Sequence, residues 1–121
     1  MKKKILIIDD EPEIGEIVKD FLNDLNYTTM IAGDATEGLA LAQSEKPDLV
    51  LLDILMPQIS GMECLKQIKE LRPETIVVVI SGLQDEQLAK QAIRRGAYDY
   101  IVKPFDLNFL QNNLLARIFP A

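Results

Sequence analysis

Polar residues able to do chemistry stand at the ends of four apolar runs in this chain. Asp9, Asp10 and Glu11 follow Ile5-Leu6-Ile7-Ile8, and Asp53 closes Leu49-Val50-Leu51-Leu52. Ser81 closes Ile76-Val77-Val78-Val79-Ile80, and Lys103 follows the run from Tyr98 to Val102. Brought to one rim, these ends would gather three aspartates, a hydroxyl and an ammonium. Carboxylates held that close repel one another unless a cation sits among them. A hard divalent ion answers the repulsion. Mg²⁺ takes one or two carboxylates, keeps several waters and shares its other positions with phosphate. Three aspartates, one Mg²⁺ and Lys103 sum to zero formal charge. Such a site is poised to accept a phosphoryl group rather than to hold a permanent anion.

The elements that must position these residues are legible as an alternation. Ile5 to Ile8 is apolar without a break and rich in β-branched residues, as in a strand buried on both faces. Ile14, Ile17, Val18, Phe21, Leu22 and Leu25 then recur at helical spacing, with Pro12 in a first turn that tolerates it. Tyr27 to Ala32 is a second strand. Asp34 and Glu37 frame the start of a helix reaching about Ser44. Leu49 to Asp53 is the third strand. Pro57 forces a loop, and Ser60 with Glu63 opens a helix lined by Met62, Leu65, Ile68 and Leu71. Gly61 marks a backbone position needing freedom. Ile76 to Ile80 is the strongest strand. Gln84 to Arg95 follows as a helix with Leu88, Ala92 and Ile93 inward, stopped by Gly96. Tyr98 to Val102 is the fifth strand. Asp106 caps a last helix with Leu107, Leu110, Leu114 and Ile118 inward.

Five βα units imply an α/β fold, a five-stranded parallel sheet with helices on both faces. Right-handed crossovers favour the order 2-1-3-4-5, the flavodoxin-like doubly wound arrangement. Ligands in such sheets bind at the carboxyl ends of the strands, near the switch point, where the residues named above lie.

Composition narrows the function classes. The chain has 121 residues, 13 basic and 19 acidic, with a net charge of −6. That length is expected to form one domain spanning 1–121. Residues 1–60 carry 12 acids and 5 bases, and residues 61–121 carry 7 and 8. The acidity argues against direct nucleic-acid binding, which is usually basic. Histidine is absent, which excludes histidine catalysis, histidine metal ligands and a phosphohistidine on this chain. One cysteine, Cys64, excludes an intramolecular disulfide and reads as a small hydrophobe in a helix. No apolar run approaches the length that spans a bilayer, and the basic start is too short for a secretory signal, so a cytoplasmic location without membrane contact is expected.

In order along the chain, these pieces form a specific pattern. Asp9-Asp10, Asp53-Ile54-Leu55-Met56-Pro57 with Gly61, Ile80-Ser81-Gly82, and Tyr100-Ile101-Val102-Lys103-Pro104-Phe105 resemble the receiver domain of two-component response regulators, over essentially the full length. The resemblance implies a role for each residue. Asp53 would be the phosphoacceptor, a carboxylate nucleophile taking phosphoryl from a sensor histidine kinase or phosphotransfer protein. Asp10 and Asp53 would bind Mg²⁺ (or Mn²⁺) with the Leu55 carbonyl, and Asp9 mainly through water. Lys103 would pair with Asp53 and then with a phosphoryl oxygen, to which Ser81 would donate its hydroxyl. Tyr100 would be the switch aromatic that moves inward with Ser81. The Lys103–Pro104 bond is expected to be cis. Phosphorylation would switch the surface of the fourth helix, fifth strand and fifth helix, a face that could also serve a homodimer. The output would be an effector domain beyond Ala121 or a separate partner. The row Lys90, Arg94 and Arg95 lies on that face. The run Gly96 to Phe105 is similar to receivers of transcriptional activators with an ATPase domain.

Other classes fit less well. A flavin-binding domain of the same topology needs a phosphate-cradling loop after the first strand, where this chain has Asp-Asp-Glu-Pro. A haloacid-dehalogenase-like phosphatase needs a D-x-D nucleophile motif there. An inactive receiver serving only as an interaction module would have no reason to keep Asp9, Asp10, Asp53, Ser81 and Lys103 together.

Overall fold

The computed structural model of the chain describes residues 2–55 and 60–120. Five strands alternate with helices: β1 Lys4–Ile8, α1 Pro12–Asp24, β2 Thr28–Ala32, α2 Ala35–Glu45, β3 Leu49–Asp53, α3 Gly61–Leu71, β4 Ile76–Ser81, α4 Glu86–Arg94 and β5 Asp99–Val102. The last helical segment, α5, is an α-turn at Leu107–Phe109, a wider π-helical stretch at Leu110–Leu115 and an α-turn at Ala116–Ile118. The sheet is parallel with order β2-β1-β3-β4-β5, as the alternation predicts. The Met56-Pro57 turn lies outside the described residues.

The uninterrupted apolar runs have a simple cause. Successive side chains of a strand point to opposite faces, so a sheet covered on both faces needs apolar residues at every position. Leu6, Ile8, Val50, Leu52, Val77 and Val79 meet α2, α3 and α4 through Ala42, Leu65, Ile68 and Ala92. Ile5, Ile7, Leu49, Leu51, Val78 and Ile80 meet α1 and α5 through Val18, Leu22, Leu110 and Leu114. Burying one such side chain contributes roughly 1.5–3 kcal/mol, so these two layers dominate the fold. Cys64 is fully buried in the first layer, and burial pushes its thiol up to about 11. It behaves as the expected small hydrophobe.

Local signals set most helix starts. Asp34 accepts a hydrogen bond from the Glu37 N–H and Ser60 from the Glu63 N–H, satisfying donors the first helical turn leaves orphaned. Asp106 caps α5 through the Asn108 N–H. Asp85 caps α4, which therefore starts at Glu86 rather than near Gln84. Gly61 is required by closeness: any Cβ there would collide with the Ile54 backbone, which its own N–H bonds at 3.3 Å. That approach holds the turn after β3 against the start of α3. Gly96 has φ +105°, the left-handed backbone that stops α4.

Three expected inward residues face out. Ile17 is 60% exposed, Ile93 50% and Leu71 47%. Each lies at the margin of its helix stripe, where helical spacing still matches but the sheet no longer reaches. Leu115, eight residues after Leu107 and so on the same helical stripe, is buried beside Leu110 and Leu114. The π stretch brings residues four and five apart inward together. Among the described residues no helix is long and apolar enough to cross a membrane.

Candidate functional site

The register brings the strand ends level. Ile8 pairs with Leu52, Asp53 with Ile80, and Ser81 with Val102. Asp9 therefore emerges beside Asp53, and Lys103 beside Ser81, whose carbonyl accepts the Lys103 N–H at 2.7 Å. One turn device recurs at three of these ends. The Asp9 carboxylate accepts the Glu11 N–H at 2.9 Å, Asp53 accepts the Leu55 N–H at 2.9 Å, and the Ser81 hydroxyl oxygen accepts the Leu83 N–H at 3.0 Å. Short polar side chains bonding backbone two residues on turn the chain sharply and fix their own oxygens.

The carboxylates converge. One oxygen from each of Asp9, Asp10 and Asp53 lies within 4.8 Å of the others, with Asp9 and Asp53 buried and Asp10 exposed. The wall beneath is apolar, formed by Ile7, Val18, Leu51 and Ile80. The Lys103 ammonium reaches in and donates to Asp9 Oδ2 at 3.0 Å, to Asp53 Oδ2 at 3.1 Å and to Glu11 Oε1 at 3.1 Å. Burial raises the Asp53 carboxyl above its ordinary value, against the lowering effect of the Leu55 N–H and of Lys103. Burial by itself would lower Lys103, but its bonds to Asp9, Asp53 and Glu11 prevail and hold it above the usual lysine range. Four carboxylates and one ammonium leave a formal surplus of three negative charges. The set of hard oxygen donors, the surplus charge and the partial exposure through Asp10 fit a divalent cation.

Ser81 and Tyr100 occupy the other face of the sheet. Ser81 is fully buried. Tyr100 is half-buried against the layer that includes Val77, Val79 and Ala92. Its hydroxyl donates to the Leu83 carbonyl at 2.6 Å. Leu83 thus bridges the two hydroxyl residues through its backbone, N–H to Ser81 and C=O to Tyr100. The Lys103–Pro104 bond is cis, as expected. Leu55 is 48% exposed beside Asp53. Lys90 and Arg94 on α4 and Arg95 at its C-cap are exposed.

Sequence reasoning found every member of the carboxylate cluster and missed two participants. Glu11 was legible as a third acid in a row, but only the fold shows it reaching Lys103. Leu83 acts through backbone atoms, which leave no mark in side-chain identity.

The chain belongs to the response regulator receiver domain family, which it matches over residues 5–115. It is the receiver domain type of two-component systems, a signalling domain. It is 37% identical over 113 residues to the probable C4-dicarboxylate response regulator DctR of Bacillus subtilis (strain 168), covering 92% of this chain and 50% of that protein. The chain spans about half the length of several curated relatives that it matches. The crystal structure of a CheY-like receiver domain protein from Methanospirillum hungatei JF-1 matches with a TM-score of 0.93 at 31% identity, covering 98% of this chain and 94% of that one. A response regulator from Burkholderia pseudomallei, solved with a phosphorylated aspartic acid, calcium ion and citrate, matches with a TM-score of 0.88 at 26% identity, covering 97% of this chain and 69% of that one.

Proposed function

We propose that residues 1–121 act as a phosphoacceptor switch in which Asp53 takes a phosphoryl group from the phosphohistidine of a sensor histidine kinase or phosphotransfer protein. The observation that carries this reading is the convergence of Asp9, Asp10 and Asp53 with Lys103 bonded to Asp53. An Asp53 carboxylate oxygen attacks phosphorus, the phosphorus–nitrogen bond breaks, and the donor imidazole leaves with the electron pair. Asp10, Asp53 and the Leu55 carbonyl would hold Mg²⁺ (or Mn²⁺), with Asp9 contributing mainly through water. Bound there, the ion neutralises charge on the phosphoryl oxygens. Lys103 donates to one of those oxygens and Ser81 to another. The Burkholderia relative, with its phosphorylated aspartic acid and calcium ion, supports both the acceptor type and the hard cation.

Ser81 can donate to phosphate only by reorienting towards Asp53, which disturbs its bond to the Leu83 N–H. Because Leu83 also holds the Tyr100 hydroxyl, that movement would reach the surface of α4, β5 and α5, where Lys90, Arg94 and Arg95 are exposed. The output is an effector domain beyond Ala121 or a separate partner read by that face, which is also the face available for a homodimer. The protein acts in the cytoplasm and is not an enzyme beyond its own phosphorylation and dephosphorylation.

The test is to incubate the chain with Mg²⁺ and a small phosphodonor and follow intact mass. The expected result is the gain of one phosphoryl group, absent in Asp53→Asn and absent with excess chelator. An unmodified wild type, or an undiminished gain in Asp53→Asn, sinks the reading.

A further inference from the structure

We propose that the groove between α4 and β5 docks an acidic segment of a partner protein, with one apolar side chain of that segment as its anchor. The proposal rests on this face carrying the output, and it names the chemistry of what reads that face. The groove encloses about 450 Å³. It is lined by Ala89, Lys90, Ile93 and Arg94 on one side and by Asp99 and Tyr100 on the other. Among the described residues of α4 only Ala92 is buried. Helical spacing then sets Lys90 and Arg94 together on the outer crest, and Ala89 and Ile93 on the flank towards β5.

Two features of the groove call for a partner. Ile93 lies in it and is 50% exposed. Lys90 and Arg94 make no ion pair among the described residues. A base in the last turn favours the helix dipole, which accounts for Arg94 but not for Lys90 one turn earlier or for the bare isoleucine between them. An apolar floor with a basic rim matches a segment in which Asp or Glu flanks one apolar side chain. The anchor displaces water from Ile93, and the carboxylates meet the two cations. A second copy of the chain fits poorly. It would bring the same bases to the same face, and like charges opposed are unfavourable. The groove's carboxylate, Asp99, already accepts from the Tyr100 N–H at 2.7 Å and from Arg117 at 3.4 Å. On α5 no acid stands between Leu107 and Ile118. A nucleic acid would meet a chain of net charge −6, whose field repels it at long range.

The test selects binders from a random-peptide display library on the full chain, resting and with Mg²⁺ and beryllofluoride. Amide NMR shifts of the chain then map where the recovered peptides bind. Recovered sequences are expected to place Asp or Glu beside a Leu, Ile or Phe, and to shift amides around Ile93 and Tyr100. Their affinity should fall about tenfold in the double variant Lys90→Glu, Arg94→Glu, roughly fivefold in Ile93→Ala, and steadily with rising salt. All three side chains are exposed, so the variants keep the fold. Recovery of no peptide, or of peptides without an acidic excess, overturns the proposal. So does acidic binding that maps elsewhere or is undiminished in the double variant. Displacement of the peptides by duplex DNA at equal concentration makes the face a general anion site and overturns it too. A wild type that takes up no beryllofluoride, or acidic peptides that bind both forms equally, would instead refute the phosphoacceptor switch, because Tyr100 lines the groove and its movement must reshape it.

Discussion

The two faces of the sheet end differently at the same rim. On the α1 and α5 face the strands finish in Asp9, Asp53 and Lys103, buried charges balanced by ion pairs over an apolar wall. On the α2, α3 and α4 face they finish in Ser81 and Tyr100, neutral hydroxyls tied through the Leu83 backbone. Neighbouring positions on β4 lie on opposite faces, so Ile80 backs the charged side while Ser81 belongs to the neutral one. The charged side is suited to chemistry, because its groups hold a surplus of negative charge that a bound cation can offset. The neutral side is suited to reporting, because hydroxyl hydrogen bonds are individually weak and exchange at little free-energy difference.

Several substitutions would break or sharpen this contrast. The largest effect is expected from Lys103→Met, which leaves Asp9 and Asp53 buried and unpaired. The metal-free fold should lose about 3 kcal/mol or more at neutral pH in chemical denaturation. Part of that loss should return on acidification, as the stranded Asp53 carboxylate takes up a proton. The sign of the wild-type dependence follows from the raised Lys103 value. Its contribution is fully present below the ordinary lysine pKa of about 10.4 and is lost as pH rises through the higher folded value, an alkaline limb that Lys103→Met should lack. Asp53, also raised, contributes stability at acid pH that disappears as pH rises through its folded value. A change in the acid limb of the stability curve in Asp53→Asn, in the direction that removes this contribution, would match.

Ser81→Ala removes the acceptor of the Leu83 N–H from a fully buried position. A loss of about 1 kcal/mol, the same at pH 5 and pH 8, is expected in urea unfolding. A pH-dependent loss would place Ser81 in the charged network and make the two faces alike. Asp10→Asn changes an exposed carboxylate beside the other two. Its metal-free form should be more stable by up to about 1 kcal/mol through relief of repulsion, while its Mg²⁺ affinity, read by fluorescence titration, should fall. Lower metal-free stability would contradict the clustering. The smallest change is expected from Tyr100→Phe, about 0.5 kcal/mol for one partly exposed hydroxyl bond. Its resting stability should stay near wild type while the chemical shifts around Leu83 move.

Much of the fold was legible because its signals are local or periodic. The unbroken runs Ile5–Ile8 and Leu49–Leu52 require a strand covered on both faces, and Asp34, Ser60 and Asp106 announce helix starts by the hydrogen bonds their side chains can accept. The failures share one cause. Ile17, Leu71 and Ile93 fit the helical period, but whether a stripe's margin is covered depends on how far the sheet extends beneath it.

By itself the sequence determined the strand and helix order, the parallel sheet and the identity of the carboxylates, lysine, serine and tyrosine that sit at strand ends. These follow from side-chain type and alternation along the chain. The tertiary structure decided which face each residue joins and which partners each one finds. Strand register carries Asp9 beside Asp53, the closeness of α1 to the β5 end lets Glu11 reach Lys103, and the turn after β4 brings the Leu83 backbone between Ser81 and Tyr100. Asp9 beside Asp53, Glu11 on Lys103 and Tyr100 on Leu83 are contacts across long sequence separations, set by how sheet and helices pack, and no local pattern of residues encodes their distances.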